Sequence, residues 1–446
     1  MTFTASGRAL PTLLRISLVL LSLAFTLSRP FYGHEAALPL TVLFLVYLPG
    51  YLLARALGKD RVAHPVMRFV WVLAAGLALT ITLGGAARLL QVPVPHYLLL
   101  LHGLMAVLAL LPSRPDEDEA QPWQFEWSRL PLYLLLLLSC AIVLAVGIER
   151  NRFRFSGYED QTVFVELANW LAHDPDDPTI DSRRLNVHYG ATRWDFDGWT
   201  YNHAAWAMTS GLSEADIIWY HLTPLFVWTA PLAVFGMAYE LSRNERTAVL
   251  SAAALTLVGL MTVDGLVYRQ STLVIGQFSL FQVNTLRTMA TAIGAPLALM
   301  AAAAYLRRPS ARHLLLVFLI GGMLSILHAR PIMTFLYTIG ATTILWWLAQ
   351  PTRQRLAQAF TLGLVCVVLF GMPYIQRTQR GRIAIPQVAS TGVPLVDADA
   401  APIDEDEPTG DPRGDLLPLS NVPLIGDTYI VSPKSVFYHP AIIVAT

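Results

Sequence analysis

Two adjacent carboxylates, Glu159 and Asp160, stand behind a glycine in the polar stretch Phe155-Ser156-Gly157-Tyr158-Glu159-Asp160-Gln161. They open an apolar-patterned segment, residues 162–172, in which Phe164, Leu167, Ala168 and Leu171 recur at i, i+3, i+4, i+7. That spacing is one face of a helix, and Gln161, Glu166, Asn169 and His173 fall away from it. Such a helix can lie along a membrane surface with its apolar face down. A carboxylate at its head is a candidate for acid–base work. The plainer use is as a helix cap, a common role for aspartate. A full capping box is not formed, because Val163 holds the third helical position.

The next residues are unusual for a connector. Leu185-Asn186-Val187-His188-Tyr189-Gly190 precedes Trp194-Asp195-Phe196-Asp197-Gly198-Trp199-Thr200-Tyr201-Asn202-His203. Aromatic faces beside carboxylates and amides suit a sugar, with rings against its apolar face and polar groups on its hydroxyls. His188, Trp199, Asn202 and His203 are the candidates for that contact. An interfacial aromatic belt has the same composition. Asp174, Asp176, Asp177 and Asp181 offer oxygen to a hard cation, but without the spacing of a cation-binding loop they read as a solvated turn.

Cationic groups form a further set. Arg269 and Arg287 bracket a polar connection, and His328-Ala329-Arg330-Pro331 joins two apolar runs. Guanidinium forks bind phosphate well, and a helix N-terminus favours an anion. Arg287 and Arg330 are therefore candidates for a lipid phosphate. Snorkelling to the membrane interface is the structural alternative.

These groups need elements to hold them. Of 446 residues, 54% are hydrophobic and 14% charged, and mean hydropathy is +0.50. Soluble domains carry about 25% charged residues, so the composition points to an all-α polytopic membrane protein. The net charge of zero gives no reason to expect nucleic acid as a partner. Cys140 and Cys366 lie inside apolar runs and read as packing residues. Arg8 and Arg15 before an apolar run resemble a secretory signal; with no small-x-small cleavage site, the run reads as an uncleaved first span.

At ~20 apolar residues per span, about eleven spans are predicted, near 10–28, 36–57, 66–90, 95–112, 130–148, 216–241, 247–265, 287–306, 313–328, 331–350 and 356–374. The short connections around Lys59 and Arg61, Arg243 and Arg246, Arg307 to Arg312, and Arg353 and Arg355 are basic. The positive-inside rule puts them in the cytoplasm. The N-terminus is then cytoplasmic, and loop 149–215, loop 266–286 and the tail after residue 374 are outside. The sequence divides into a four-span unit, 1–129, a membrane core, 130–374, and a Pro/Asp-rich outer tail, 375–446. The last residues, from Tyr438 to Thr446, look like the start of another span.

In the order of these features the chain resembles the GT-C-type membrane glycosyltransferases, polytopic enzymes that use polyprenyl-phosphate sugars. The resemblance rests on Glu159-Asp160 just after a span and on the surface helix at 162–172. It implies a plasma-membrane enzyme that moves a sugar from a polyprenyl-phosphate donor to an envelope glycan, lipid or protein acceptor on the outer face. It implies Asp160 as general base, with Glu159 as runner-up, or as a ligand of a divalent cation where members use one. It implies Arg287 or Arg330 at the donor phosphate. The chain departs from the family in placing its acidic loop after about the fifth span, where much of the family has it after the first, and in lacking the soluble C-terminal domain of many members.

Two other classes stay open. A transporter or lipid flippase places ionisable groups near the bilayer midplane, and His102 in the fourth predicted span fits that. A non-catalytic membrane scaffold would use the outer loop to bind a partner.

Overall fold

A bilayer offers backbone N–H and C=O groups no water, so an apolar chain must satisfy them internally. A computed structural model describes residues 10–28, 37–59, 62, 64–90, 92–112, 126–153, 198–261, 289–327 and 329–380, and these do so through helices. The elements are α1 (Thr12–Leu27), α2 (Ala37–Ala56), α3 (Pro65–Leu89), α4 (Val94–Leu110), α5 (Leu130–Phe153), α6 (Gly198–Ser210), α7 (Leu222–Ser242), α8 (Glu245–Met261), α9 (Met289–Arg307), α10 (Ala311–Leu327), α11 (Ala329–Ala349) and α12 (Arg353–Arg380). π turns interrupt α2 at Leu43–Tyr47, open α9 at Met289–Gly294, and lead into α7 at Ile217–His221.

Local chemistry sets the helix ends. Pro65 starts α3 behind His64, whose ring accepts from the Met67 N–H, and proline suits a first turn because its missing N–H is not needed there. Arg243 ends α7 in the left-handed region at φ 54°. Asn244 then caps α8, its Oδ1 accepting from Arg246 N–H at 2.9 Å and Thr247 N–H at 3.2 Å.

α3 is the centre of the bundle and packs against α2, α6 and α10. Trp71, Leu73, Leu77 and Ile81 of α3 are fully enclosed. α5 instead presents Leu134, Leu137 and Leu138 outward, as a lipid-facing helix does. α2 and α3 meet backbone to backbone: a Cβ on Gly50 would land on the Val72 carbonyl and the Gly76 backbone, and one on Gly76 on the Val46 carbonyl. Small residues allow such approaches in lipid, where packing drives helix association.

The sequence expectation of about eleven spans is corrected. Among the described residues, five helices are long and apolar enough to cross a membrane: Ala37–Ala56, Pro65–Leu89, Trp127–Ile148, Leu222–Ser242 and Met289–Arg307. Thr12–Leu27, Val94–Leu110, Ala311–Leu327 and Thr334–Ala349 are shorter apolar helices. At 1.5 Å per residue a 17-residue helix rises only about 25 Å, against a hydrocarbon core of about 30 Å. The spans expected near 10–28, 95–112 and 313–328 fall on three of these helices, which have the apolarity of a span but not its length. The expected outer loop 149–215 also contains α6, a buried helix. The expected surface helix at 162–172 lies outside the described residues.

One polar network fastens several helix ends together. Glu245, at the start of α8, accepts from His64 Nε2 at 2.6 Å, from Arg129 Nη1 at 2.9 Å and from the Tyr133 hydroxyl. Met67 N–H points to His64 Nδ1, which leaves the imidazole proton on Nε2, toward Glu245. The Tyr239 and Phe235 rings of α7 flank the His64 ring at 5.1 and 5.5 Å.

These contacts predict two outcomes. Gly76→Val should lower the thermal unfolding midpoint in detergent, at a cost of about 1–3 kcal/mol or more. Gly103→Ala, whose new methyl meets nothing within 4 Å, should leave the midpoint unchanged or raised. For Glu245, burial alone raises the carboxyl, but the bonds from His64, Tyr133 and Arg129 outweigh it and bring it down to about 2. The folded value lies below the unfolded one, so this stabilisation is complete above about pH 4.5 and is lost as pH falls toward 2, on the order of 3 kcal/mol in all. Unfolding measured against pH should show that slope in the parent chain and a flatter one in Glu245→Gln.

Candidate functional site

α6 is held by hydrogen bonds on one side and carries an unbonded histidine on the other. Its first residue, Gly198, sits directly on α3: a Cβ there would collide with the Ile81 carbonyl and the Gly85 N–H. One turn later Asn202 Nδ2 donates to the Gly198 carbonyl at 2.6 Å, and its Oδ1 accepts from the Tyr97 hydroxyl of α4 at 2.6 Å. The Tyr201 hydroxyl donates to the Val92 carbonyl, in the connection between α3 and α4. Tyr97 and Tyr201 meet edge to face at 5.3 Å. These bonds fix the rotation of α6 about its own axis.

That rotation sets Trp199, His203 and Trp206 in one row, at i, i+4 and i+7. Phe226 of α7 closes the box, 5.5 Å from Trp199 and 5.7 Å from Trp206. The His203 ring lies 4.9 Å from Trp199 and 5.4 Å from Trp206. His203 is 1% exposed, and neither Nδ1 nor Nε2 has a hydrogen-bond partner. Leaving a buried polar group unbonded costs about 1–3 kcal/mol. An ionisable side chain kept that way inside a membrane protein marks a functional site by default. Its two nitrogens can bond a ligand hydroxyl or move a proton.

Across α6 from the box, on the face that Met208 and Thr209 share with Tyr201 and Asn202, a cleft of about 440 Å³ opens between α1, α4 and α6. Leu23, Leu27, Leu98, Leu99 and Met208 give it apolar walls, with His102 and Thr209 among its lining. His102 is bonded on both sides, to the Leu98 carbonyl at 2.7 Å and to the Ser22 hydroxyl at 3.0 Å.

Of the residues singled out from sequence, the structure brings Trp199, Asn202 and His203 together on α6. Asn202 spends its amide on Gly198 and Tyr97, so it positions the helix. Arg330 falls in the first turn of α11, directly after α10, which packs against α6. Glu159, Asp160, His188, Arg269, Arg287 and His328 lie outside the described residues. Tyr97, Trp206 and Phe226 were missed in the sequence. The Trp199–His203–Trp206 spacing was the available signal, legible once 198–210 is read as a helix and not as loop. Among the described residues no group of three or more His, Cys, Asp or Glu gathers to hold a metal ion.

Comparison with protein-family models, with curated proteins and with solved structures gives no match for this chain. Its apolar spanning helices make it an all-α polytopic membrane protein.

Two substitutions should move stability in opposite directions. Tyr97→Phe strands the buried Asn202 Oδ1 and should cost about 1–3 kcal/mol. His203→Leu removes two unbonded nitrogens at similar volume and should leave the unfolding midpoint equal or higher. Both are read by thermal unfolding of the purified chain in one detergent.

Proposed function

We propose that this protein transfers a sugar from a polyprenyl-phosphate donor to an acceptor hydroxyl at the outer membrane face, as the GT-C-type enzymes do that its sequence resembles. The observation that carries the reading is where segment 154–197, with Glu159 and Asp160, attaches. It leaves from α5, whose Gly147 packs against Thr223 and Val227 of α7. It returns at Gly198, one residue before the box that Trp199, His203, Trp206 and Phe226 form. Phe226 lies between Thr223 and Val227 in sequence, so α5 passes the box at Gly147, about two turns before the segment begins, and the segment's far end joins the box directly at Gly198.

Asp160 takes the proton from the acceptor hydroxyl, and Glu159 is the alternative base. The acceptor oxygen forms its bond to the anomeric carbon as the bond from that carbon to the phosphate oxygen breaks, with inversion. The electron pair leaves on the polyprenyl phosphate. That anion needs cations and no protein acid, a role for Arg269, Arg287, His328 and Arg330. Trp199 offers a ring and His203 its nitrogens to the sugar, with His188 as a further contact. The cleft against Leu23, Leu98 and Met208 suits an isoprenoid chain.

Release of polyprenyl phosphate from a polyprenyl-phosphate hexose by the purified chain in liposomes tests this. Asp160→Asn should reduce release by about 10²–10⁴-fold at unchanged membrane level. Full release in that variant removes Asp160 as base, and no release by the parent chain with any such donor removes the class.

Some observations favour a transporter or lipid flippase instead. Three π turns interrupt or lead into spans, and π turns are frequent at functional sites. Ser22 and His102 also form a polar pair within apolar helices. Lipid or solute flux across the same liposomes without release of polyprenyl phosphate would establish that reading.

A further inference from the structure

Two guanidiniums converge on the end of a single helix, on the side of the bundle where α1 begins. Arg15, in the first turn of α1, donates through Nη1 to the Leu111 carbonyl at 3.3 Å. Arg55, in the last turn of α2, donates through Nη1 to the same oxygen at 2.9 Å. Leu111 comes directly after the last residue of α4. Arg15 also donates through Nη2 to Thr12 Oγ1 at 2.5 Å. The two residues are 3% and 2% exposed, and the Nε–H of each has no acceptor. Among the described residues, no carboxylate pairs with either.

Among the described residues the charges do not balance. A helix C-terminus supplies roughly half a negative charge, and it faces two permanent positive ones. Snorkelling does not account for the pair, because a snorkelling head reaches water and these heads are enclosed. The enclosure is apolar on its outer side, where Leu13, Leu14, Leu110 and Leu111 are exposed around the helix ends. The unbonded Nε–H groups lie behind these leucines, so an anion that meets them enters between leucines that face acyl chains, as a phosphate carried by a lipid would. We propose that Arg15 and Arg55 form a clamp for the phosphate of an anionic phospholipid, in the leaflet where α1 starts. Planar forks bind phosphate oxygens two at a time, and the Leu111 carbonyl holds both forks in place.

The test uses the full chain purified in neutral detergent, with the thermal unfolding midpoint read by tryptophan fluorescence. Phosphatidylglycerol should raise the midpoint saturably. Phosphatidylcholine and inorganic phosphate at equal concentration should not. In Arg15→Gln/Arg55→Gln the apparent affinity for phosphatidylglycerol should fall at least about tenfold, the loss of one charged hydrogen bond or more. Arg246→Gln, at an exposed cation, should keep the response. An undiminished response in the double variant overturns the clamp, and a response to inorganic phosphate alone overturns its lipid source. If the double variant is not recovered, Arg15→Gln is titrated, and unchanged affinity there overturns it equally. The acidic run Asp116-Glu117-Asp118-Glu119 is the rival counter-charge. If its Asn/Gln replacement lowers the midpoint as far as the arginine variants do, and phosphatidylglycerol shifts neither it nor the parent, the chain neutralises itself and the lipid assignment falls.

Discussion

The close approach of α3 to its neighbours is the constraint on which the rest depends. Lipid tails are as apolar as leucine, so helices in a bilayer gain little by hiding leucine from them. They associate by fitting backbones together and by satisfying polar groups. α3 does both, at Gly76 against Gly50 and at Ile81 and Gly85 against Gly198. Once Gly198 is seated, the helical repeat dictates which way each later residue of α6 faces. Tyr201 and Asn202 face the start of α4 and are bonded there. Trp199, His203 and Trp206 have only the opposite side left, against Phe226.

The two polar centres of the bundle contrast in their bonding. Around Glu245 every carboxylate oxygen meets a donor. Such a network resists change, since removing any member leaves a buried partner unmatched. Around His203 the reverse holds: aromatic rings enclose an imidazole that bonds to none of them. Threonine and serine hydroxyls elsewhere are returned to their own helix carbonyls, while both nitrogens of this ring stay unmatched.

Helix content and membrane character were legible in the sequence because composition and apolar runs carry them directly. The number of spans was not. The apolar runs near 10–28, 95–112 and 313–328 do fall on α1, α4 and α10, but those helices have only 16 or 17 residues, so they have the apolarity of a span without its length. Trp199, Asn202 and His203 were singled out by residue type yet placed in a loop, because the aspartates and glycine before them mask the helical spacing. Asn202 could not be told from a ligand group without Tyr97, 105 positions away. The pairing of Arg15 with Arg55 was invisible for the same reason: each reads as an ordinary basic residue near a helix end, and only packing puts both on one carbonyl.

The bond between His64 and Glu245 spans 181 positions. At roughly 5–20 residues per second of synthesis, α3 waits on the order of ten seconds or more before its partner exists. During that interval His64 and Tyr133 have to reside in the membrane or at its edge without the carboxylate they serve. Arg129, the charged member of the early set, reaches water and has Glu126 as a partner meanwhile. The late arrival, Glu245, enters a site whose donors, the charged Arg129 among them, are already in place. The order of the residues along the chain thus doubles as an order of assembly, with the acceptor made after all three of its donors.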